Sequence, residues 1–182
     1  GAGTPTLFFS RRIGLQDNDV VPILVGGRLT GKVGAFNVGA LNIQTDDEPL
    51  SGAQTTNFTV LRVRRDILRR STIGGIFTNR SVSLVGDGSN QVYGLDGRLA
   101  FFDDVTLLGY VARTRTPGRS DRDGSYLGQF DYAGDRYGVD LGHLVIEDNF
   151  NPEVGFVRRD NIRRTTASGR FRSSSLQTPK LA

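Results

Sequence analysis

The feature that most constrains this chain is a two-residue alternation. Residues 91–102 put Tyr93, Leu95, Gly97, Leu99 and Phe101 on one side of an extended backbone and Val92, Gly94, Asp96, Arg98 and Ala100 on the other. Residues 136–146 repeat the arrangement, with Tyr137, Val139, Leu141, His143 and Val145 opposing Arg136, Gly138, Asp140, Gly142 and Leu144. Successive side chains of a strand point to opposite faces, so this period specifies β-structure. Only Leu61 to Arg70 could pass as a short helix.

The punctuation adds connectivity. Tight turn signals stand at Gly34-Ala35, Arg65-Asp66, Asp103-Asp104, Ala133-Gly134-Asp135 and Asp160-Asn161, and longer polar links run over 45–56, 81–90, 117–124 and 147–152. Short and long connections alternate strictly. The expected fold is all-β: an antiparallel up-and-down meander of about ten strands, over 24–33, 36–44, 57–64, 67–80, 91–102, 105–116, 125–132, 136–146, 153–159 and 162–172, forming a β-barrel or part of a larger one. The chain reads as a single barrel domain or a fragment of a longer barrel, with a polar tail over 173–182.

Alternation alone does not say which face points inward. A soluble barrel buries its apolar face, with Tyr93, Leu95, Leu99, Val139 and Leu141 inside; a membrane barrel turns that face to lipid and lines a wet interior with charge. Two details favour the second arrangement. Phe36, Phe101, Tyr132 and Tyr137 sit beside tight turns, as an interfacial aromatic girdle requires. Gly94, Gly138 and Gly142 dot the charged face, where crowding explains them and solvent exposure does not.

Composition removes whole classes of function. With no Cys and one histidine, His143, the chain has no disulfide, no thiol nucleophile and no Cys/His zinc site. The longest apolar run, Val20 to Val25, contains Pro22 and is far too short for a membrane helix. A chain without Met that begins Gly-Ala-Gly reads as a processed product or a piece of a longer protein. The charge balance is 23 basic to 19 acidic residues, and all the basic residues but Lys32 and Lys180 are arginine.

Part of that arginine lies in an internal echo: VRRDILRRSTIGGIF (63–77) and VRRDNIRRTTASGRF (157–171) agree at nine of fifteen positions. In the ten-strand map both copies straddle a tight turn at the same end. Arg64, Arg65, Arg69, Arg70, Arg158, Arg159, Arg163 and Arg164 then ring Asp66 and Asp160 as an anion or interface contact, or as a self-satisfied hairpin clamp. Scattered carboxylates and the lack of interleaved stacking aromatics argue against nucleic acid as the partner.

Other motifs carry little. GGRLTGKV (26–33) nearly spells a phosphate loop, but Val33 occupies the Ser/Thr position and a strand follows instead of a helix. His143 lies on an apolar face. Asp17-Asn18-Asp19, Asp46-Asp47-Glu48 and the group Asp121, Asp123, Glu147, Asp148, Glu153 lack calcium-loop spacing and read as turn chemistry. No cofactor and no metal is expected. The enzymatic alternative is a glycoside hydrolase using two of Asp96, Asp131 and Asp140, on a ligand-binding face shared with Arg98, Arg113, Arg115 and Arg136.

The segments LFFSRRIGL (7–15), GGRLTGKVGAFNVGALNIQTDDEP (26–49), TNFTVLRVRRDILRRSTIGGIFTNR (56–80) and YLGQFDYAGDRYGVDLGHLVIEDNFNPEVGFVRRD (126–160) resemble one bacterial family. Its members carry an N-terminal carbohydrate-binding module of the family-nine type, followed by a long uncharacterised domain with an outer-membrane β-barrel pattern. The resemblance spans Leu7 to about Phe171, with FNPEVGFVRRD its most specific part. It implies location and architecture: an internal slice of a longer barrel in the bacterial outer membrane, facing the lipid bilayer. Its partners would be the rest of that barrel, an attached carbohydrate-binding module, and carbohydrate. No catalytic residue carries over. The resulting expectation is a non-enzymatic barrel segment in extracellular carbohydrate handling or surface transport; the alternative is a secreted or periplasmic soluble barrel that binds or cleaves polysaccharide.

Overall fold

The computed structural model describes residues 4–172. A small hairpin, β1 (Leu15–Gln16) and β2 (Asp19–Val20), follows a 3-10 turn over Ser10–Arg12. The body is one sheet of nine strands: β3 (Ile23–Val33), β4 (Phe36–Thr45), β5 (Thr56–Leu68), β6 (Ser71–Arg80), β7 (Asn90–Phe101), β8 (Val105–Arg115), β9 (Gly124–Ala133), β10 (Tyr137–Ile146) and β11 (Ile162–Phe171). Each strand pairs antiparallel with its sequence neighbours, so the order in space is the order in the chain. The sheet is not closed into a barrel, and β3 and β11 form its two edges.

The alternation of connections is present. Gly34-Ala35, Arg69-Arg70, 102–104 and 134–136 make short turns at one end, and 46–55, 81–89, 116–123 and 147–161 make long loops at the other. GGRLTGKV lies within β3, which runs unbroken through Val33 into a tight turn where Gly34 takes φ +59°.

Register divides the sheet into two faces of opposite character. Directly paired residues share a face, so Phe58, Val60, Ile76, Thr78, Val92, Asp96, Ala112, Tyr110, Leu127 and Leu144 lie together. The chain itself covers this face. One apolar cluster joins Ile13, Phe58, Val60 and Val154, with Phe8, Leu41 and Ile43 against it; a second joins Ala112, Leu144, Ile146 and Phe150, flanked by Leu7, Tyr110, Leu127 and Val157. Residues 4–13 and 147–157 therefore form a strap across the covered face. Backbone bonds tie its two halves: Thr6 N–H to the Phe156 carbonyl at 2.8 Å, Phe156 N–H back to Thr6 at 2.7 Å, and Phe9 N–H to Val154 at 2.9 Å.

Glycine makes this seat possible. A Cβ at Gly94 would come within 2.8 Å of both Leu7 Cδ1 and Ile76 Cγ2, and one at Gly155 would collide with the Thr6 carbonyl and the Leu7 backbone.

Among the described residues nothing covers the opposite face, which is bare in that sense. Tyr93, Leu95, Val139 and Leu141 are 44 %, 65 %, 37 % and 46 % exposed, so they do not form a core in this chain.

Three expectations change. The count is nine strands plus a hairpin, because 153–159 is strap and not strand. Its alternating NPEVGFV looks strand-like, but Pro152 lacks a ladder donor and Phe150, Val154 and Val157 are drawn into the inner clusters. Second, β5 runs on to Leu68 through a bulge at Asp66/Leu68, moving the turn from Arg65-Asp66 to Arg69-Arg70. Third, losing one strand inverts the parity of the echo. Arg64 to Arg70 sit at the short-turn end, whereas Arg158 to Arg164 sit at the long-loop end, where Ile162 pairs with Ile146. The proposed polar tail, 173–182, lies outside the described residues.

If the strap rests on the missing side chain at Gly155, a G155A variant should lose it. The expected result is much faster tryptic cleavage after Arg11 and Arg12 than in the parent chain, with the strand signal in circular dichroism retained.

Candidate functional site

Around the strap the covered face is polar and ordered in two groups. The first is buried at the long-loop end. Glu153 accepts from Ser83 Oγ (2.8 Å), the Leu84 N–H (3.0 Å) and Asn151 Nδ2 (3.1 Å), with Arg80 Nε 3.9 Å away. The Arg80 guanidinium stacks over the Phe58 ring at 5.2 Å and donates to the Val82 carbonyl and Gln16 Oε1. Asn90 donates to the Asn151 carbonyl (2.8 Å) and to Thr116 Oγ1 (2.9 Å), and accepts from the Glu153 N–H (3.2 Å). These bonds pin the strap to the ends of β6, β7 and β8. Nearly every lone pair and proton is used, which makes the group an anchor rather than a binding site.

The second group lies towards the short-turn end, beyond the strap. Arg62 and Asp96 form a two-pronged ion pair, Nη2 to Oδ2 at 2.8 Å and Nη1 to Oδ1. Asp131 and Asp140 stand directly opposite each other across β9 and β10, and Gln129 Nε2 donates to Asp140 Oδ2 at 2.9 Å. Arg98 shares this face, and Arg136 falls in the turn just before β10, where its carbonyl accepts the Arg172 N–H. Both carboxylate oxygens of Asp96 are taken up by the Arg62 guanidinium, which makes it a structural contact. Two adjacent carboxylates, Asp131 and Asp140, remain as a pair that general acid/base chemistry could use.

Arg113 and Arg115 do not join this group. Their partners in the ladder are Tyr93 and Gln91, which places both on the bare face. Arg113 Nε there donates to Asp123 Oδ1 at 2.7 Å, and Arg115 lies over the Tyr93 ring at 5.9 Å. The alternation of β8 carries this assignment, since both arginines keep the parity of Leu107 and Val111.

The bare face is zoned along the strands. Phe36, Phe101, Tyr132, Tyr137 and Phe171 make an aromatic row beside the short turns, with Tyr137 and Phe171 packed at 5.5 Å. Above it runs an aliphatic belt including Val38, Val63, Ile73, Leu95, Leu107, Val111, Val139 and Leu141. A second aromatic row follows, Phe77 with Tyr93 at 5.2 Å and Tyr126 beside His143 at 6.2 Å. His143 is thus part of the apolar surface, its Nδ1 2.8 Å from Thr165 Oγ1. The last zone is amide and hydroxyl: Asn42, Asn57, Gln44 and Thr59 bond to one another, and the Tyr93 hydroxyl donates to Gln91. The second aromatic row and the amide band were legible in the strand parity once the registers were known.

The eight arginines of the echo divide likewise. Arg64 is on the covered face, Arg65 is on the bare face over the Phe36 ring at 5.1 Å, and Arg70 donates to Asp103 across the neighbouring turn. Arg163 pairs with Val145 on the bare face and Arg164 with Leu144 on the covered one, while Arg158 and Arg159 lie in the strap's exit. Of the turn carboxylates, Asp123 holds Arg113, Asp148 holds Arg122, and Glu147 accepts the Gly124 N–H at 2.8 Å. Among the described residues no three His, Cys, Asp or Glu side chains gather as metal ligands. No family model, curated protein or solved structure matches the chain.

The buried anchor yields a stability prediction. E153A leaves Arg80 an unpaired buried charge and strips the Leu84 N–H of its acceptor, so it should lower stability by about 3–5 kcal/mol. E153Q keeps most of the hydrogen bonds and should cost clearly less. Denaturant midpoints of the two variants measure the difference.

Proposed function

We propose that this chain is a wall segment of an outer-membrane β-barrel, non-enzymatic, belonging to a larger protein concerned with extracellular carbohydrate or surface transport. The observation that carries the reading is the zoned bare face. An aliphatic belt bounded on both sides by aromatic rows, and then by amides, is the sequence of environments met on crossing from headgroups through hydrocarbon to headgroups. From Phe101 to Tyr93 on β7 is eight residues, about 26 Å along the strand and roughly 20 Å of height at the tilt usual in barrels. That is close to the roughly 25 Å apolar band of outer-membrane barrels.

The remaining features fit the same arrangement. A soluble monomer rarely leaves so wide an apolar surface uncovered. Two open edges, β3 and β11, leave a row of backbone donors and acceptors each, which further strands of a larger barrel would satisfy. Short turns at one end and long loops at the other follow the usual periplasmic and extracellular pattern. The strap and the Asp/Arg groups would then lie in the lumen. The link to carbohydrate rests on the resemblance alone.

The alternative, a polysaccharide-cleaving soluble protein, draws on one observation, the opposed Asp131 and Asp140. It predicts that D131N and D140N each abolish hydrolysis on a polysaccharide panel.

The chain contains no Trp, which makes the membrane reading testable with one fluorophore. An L95W variant reconstituted in bilayers should be quenched by lipids brominated deep in the acyl chain. Emission unaffected by those lipids, from a chain folded in plain buffer, would sink the reading. In the same bilayer, L95R should cost about 1–3 kcal/mol, since Leu95 lies between the midplane and the upper aromatic row.

A further inference from the structure

The short-turn end carries two hairpin tips whose chemistry the wall of a barrel does not need. The β5–β6 hairpin runs three residues past the level at which β4 begins, since Phe36 pairs with Arg65 and β5 continues to Leu68. Its tip exposes Leu68 at 59 %. The neighbouring β7–β8 turn exposes Phe102 at 89 %, in the left-handed backbone region at φ +54°. That conformation favours Gly, Asn or Asp, and a bulky aromatic there is strained. Solvent exposure of the ring offsets none of that cost.

The two tips are latched into one surface. Arg70, itself at φ +62°, donates through Nη2 to the Phe102 carbonyl at 2.8 Å and to Asp103 Oδ1 at 2.8 Å. Ser71 Oγ accepts the Ala100 N–H at 2.9 Å. Beside the apolar tips stand two guanidiniums, Arg65 and Arg69, and neither has a carboxylate partner among the described residues. Arg65 lies over the Phe36 ring, level with the lower aromatic row of the bare face.

We propose that the latched tips are a docking surface for anionic phospholipid: Leu68 and Phe102 enter the headgroup region, and Arg65 and Arg69 meet lipid phosphates. The inference rests on the barrel reading, which brings this end of the sheet to a bilayer surface. Charge complementarity selects the occupant. Exposed apolar side chains interleaved with unpaired arginines are the composition of interfacial anchors, and each basic group near an anionic surface strengthens attachment about fivefold. Arginine matches phosphate oxygens with its planar fork.

The test uses the full chain reconstituted in vesicles, with F102W as its single tryptophan. In vesicles of phosphatidylcholine with about one-third phosphatidylglycerol, its emission should shift to the blue and be quenched by lipids brominated near the headgroup. In phosphatidylcholine alone both effects should be weaker. R65Q/R69Q in the same background should abolish the dependence on phosphatidylglycerol while leaving the strand signal unchanged.

If the F102W emission is that of a solvated indole in both lipids while L95W is still quenched by deep bromines, the docking proposal falls and the barrel reading stands. If L95W also escapes quenching, both fall. A blue shift that appears only when a soluble protein is added, and that is indifferent to lipid charge, would assign the tips to a protein partner and overturn the lipid assignment.

Discussion

Everything in this molecule depends on the register of eight successive antiparallel ladders. Because side chains alternate with a period of two, a slip of one residue in any ladder would turn a strand inside out. The short turns prevent this: Val33 pairs with Phe36 and Phe101 with Val105, so each hairpin starts its strands in phase. The bulge at Asp66/Leu68 falls beyond the last pairing with β4, where it extends a tip without disturbing the rest of the sheet. Two sharply different faces follow from that phase. One accumulates Leu95, Val111 and Leu141; the other accumulates Asp96, Ala112 and Asp140.

The second organising interaction is the strap. Among the described residues the only layer packed against this wide sheet is residues 4–13 with 147–157, and it covers one end. The contact is specific because it is a backbone contact, made through a glycine that leaves no room for a side chain, and fastened by a carboxylate buried among three donors and one guanidinium. Beyond the strap the covered face stays open and polar, which is where Arg62, Asp96, Asp131 and Asp140 lie.

Much of this was legible in the residues. Turn chemistry and alternation located nine of the strands to within a few residues, and the faces of β7 and β10 were read correctly, His143 included. What alternation lacks is a sign: it separates two faces without saying which is covered, and only the contacts of Phe58, Val92 and Leu144 decide that. Charge misled where parity would not have. By charge Arg113 and Arg115 suit the inner aspartates, yet their positions in 105–116 have the parity of the apolar residues. The strap was missed because Phe150, Val154 and Phe156 alternate as a strand does, and the competing pull of the inner clusters is a long-range effect that no local pattern records. That same error reversed the polarity of the arginine echo, so fifteen related residues build a hairpin in one place and a loop and edge strand in the other.

The two edges have a consequence for how such a chain can be made. β3 and β11 are long and exposed along almost their whole length, and among the described residues each presents one row of unpaired peptide groups to whatever strand arrives first. In water the quickest arrival is another copy, and a ladder begun that way propagates, because every added sheet offers the next free edge. Correct pairing and aggregation are therefore competing reactions with different orders in concentration. Dilution and a chaperone that masks strand edges should decide the yield of folded material more than any gain in the stability of the sheet itself.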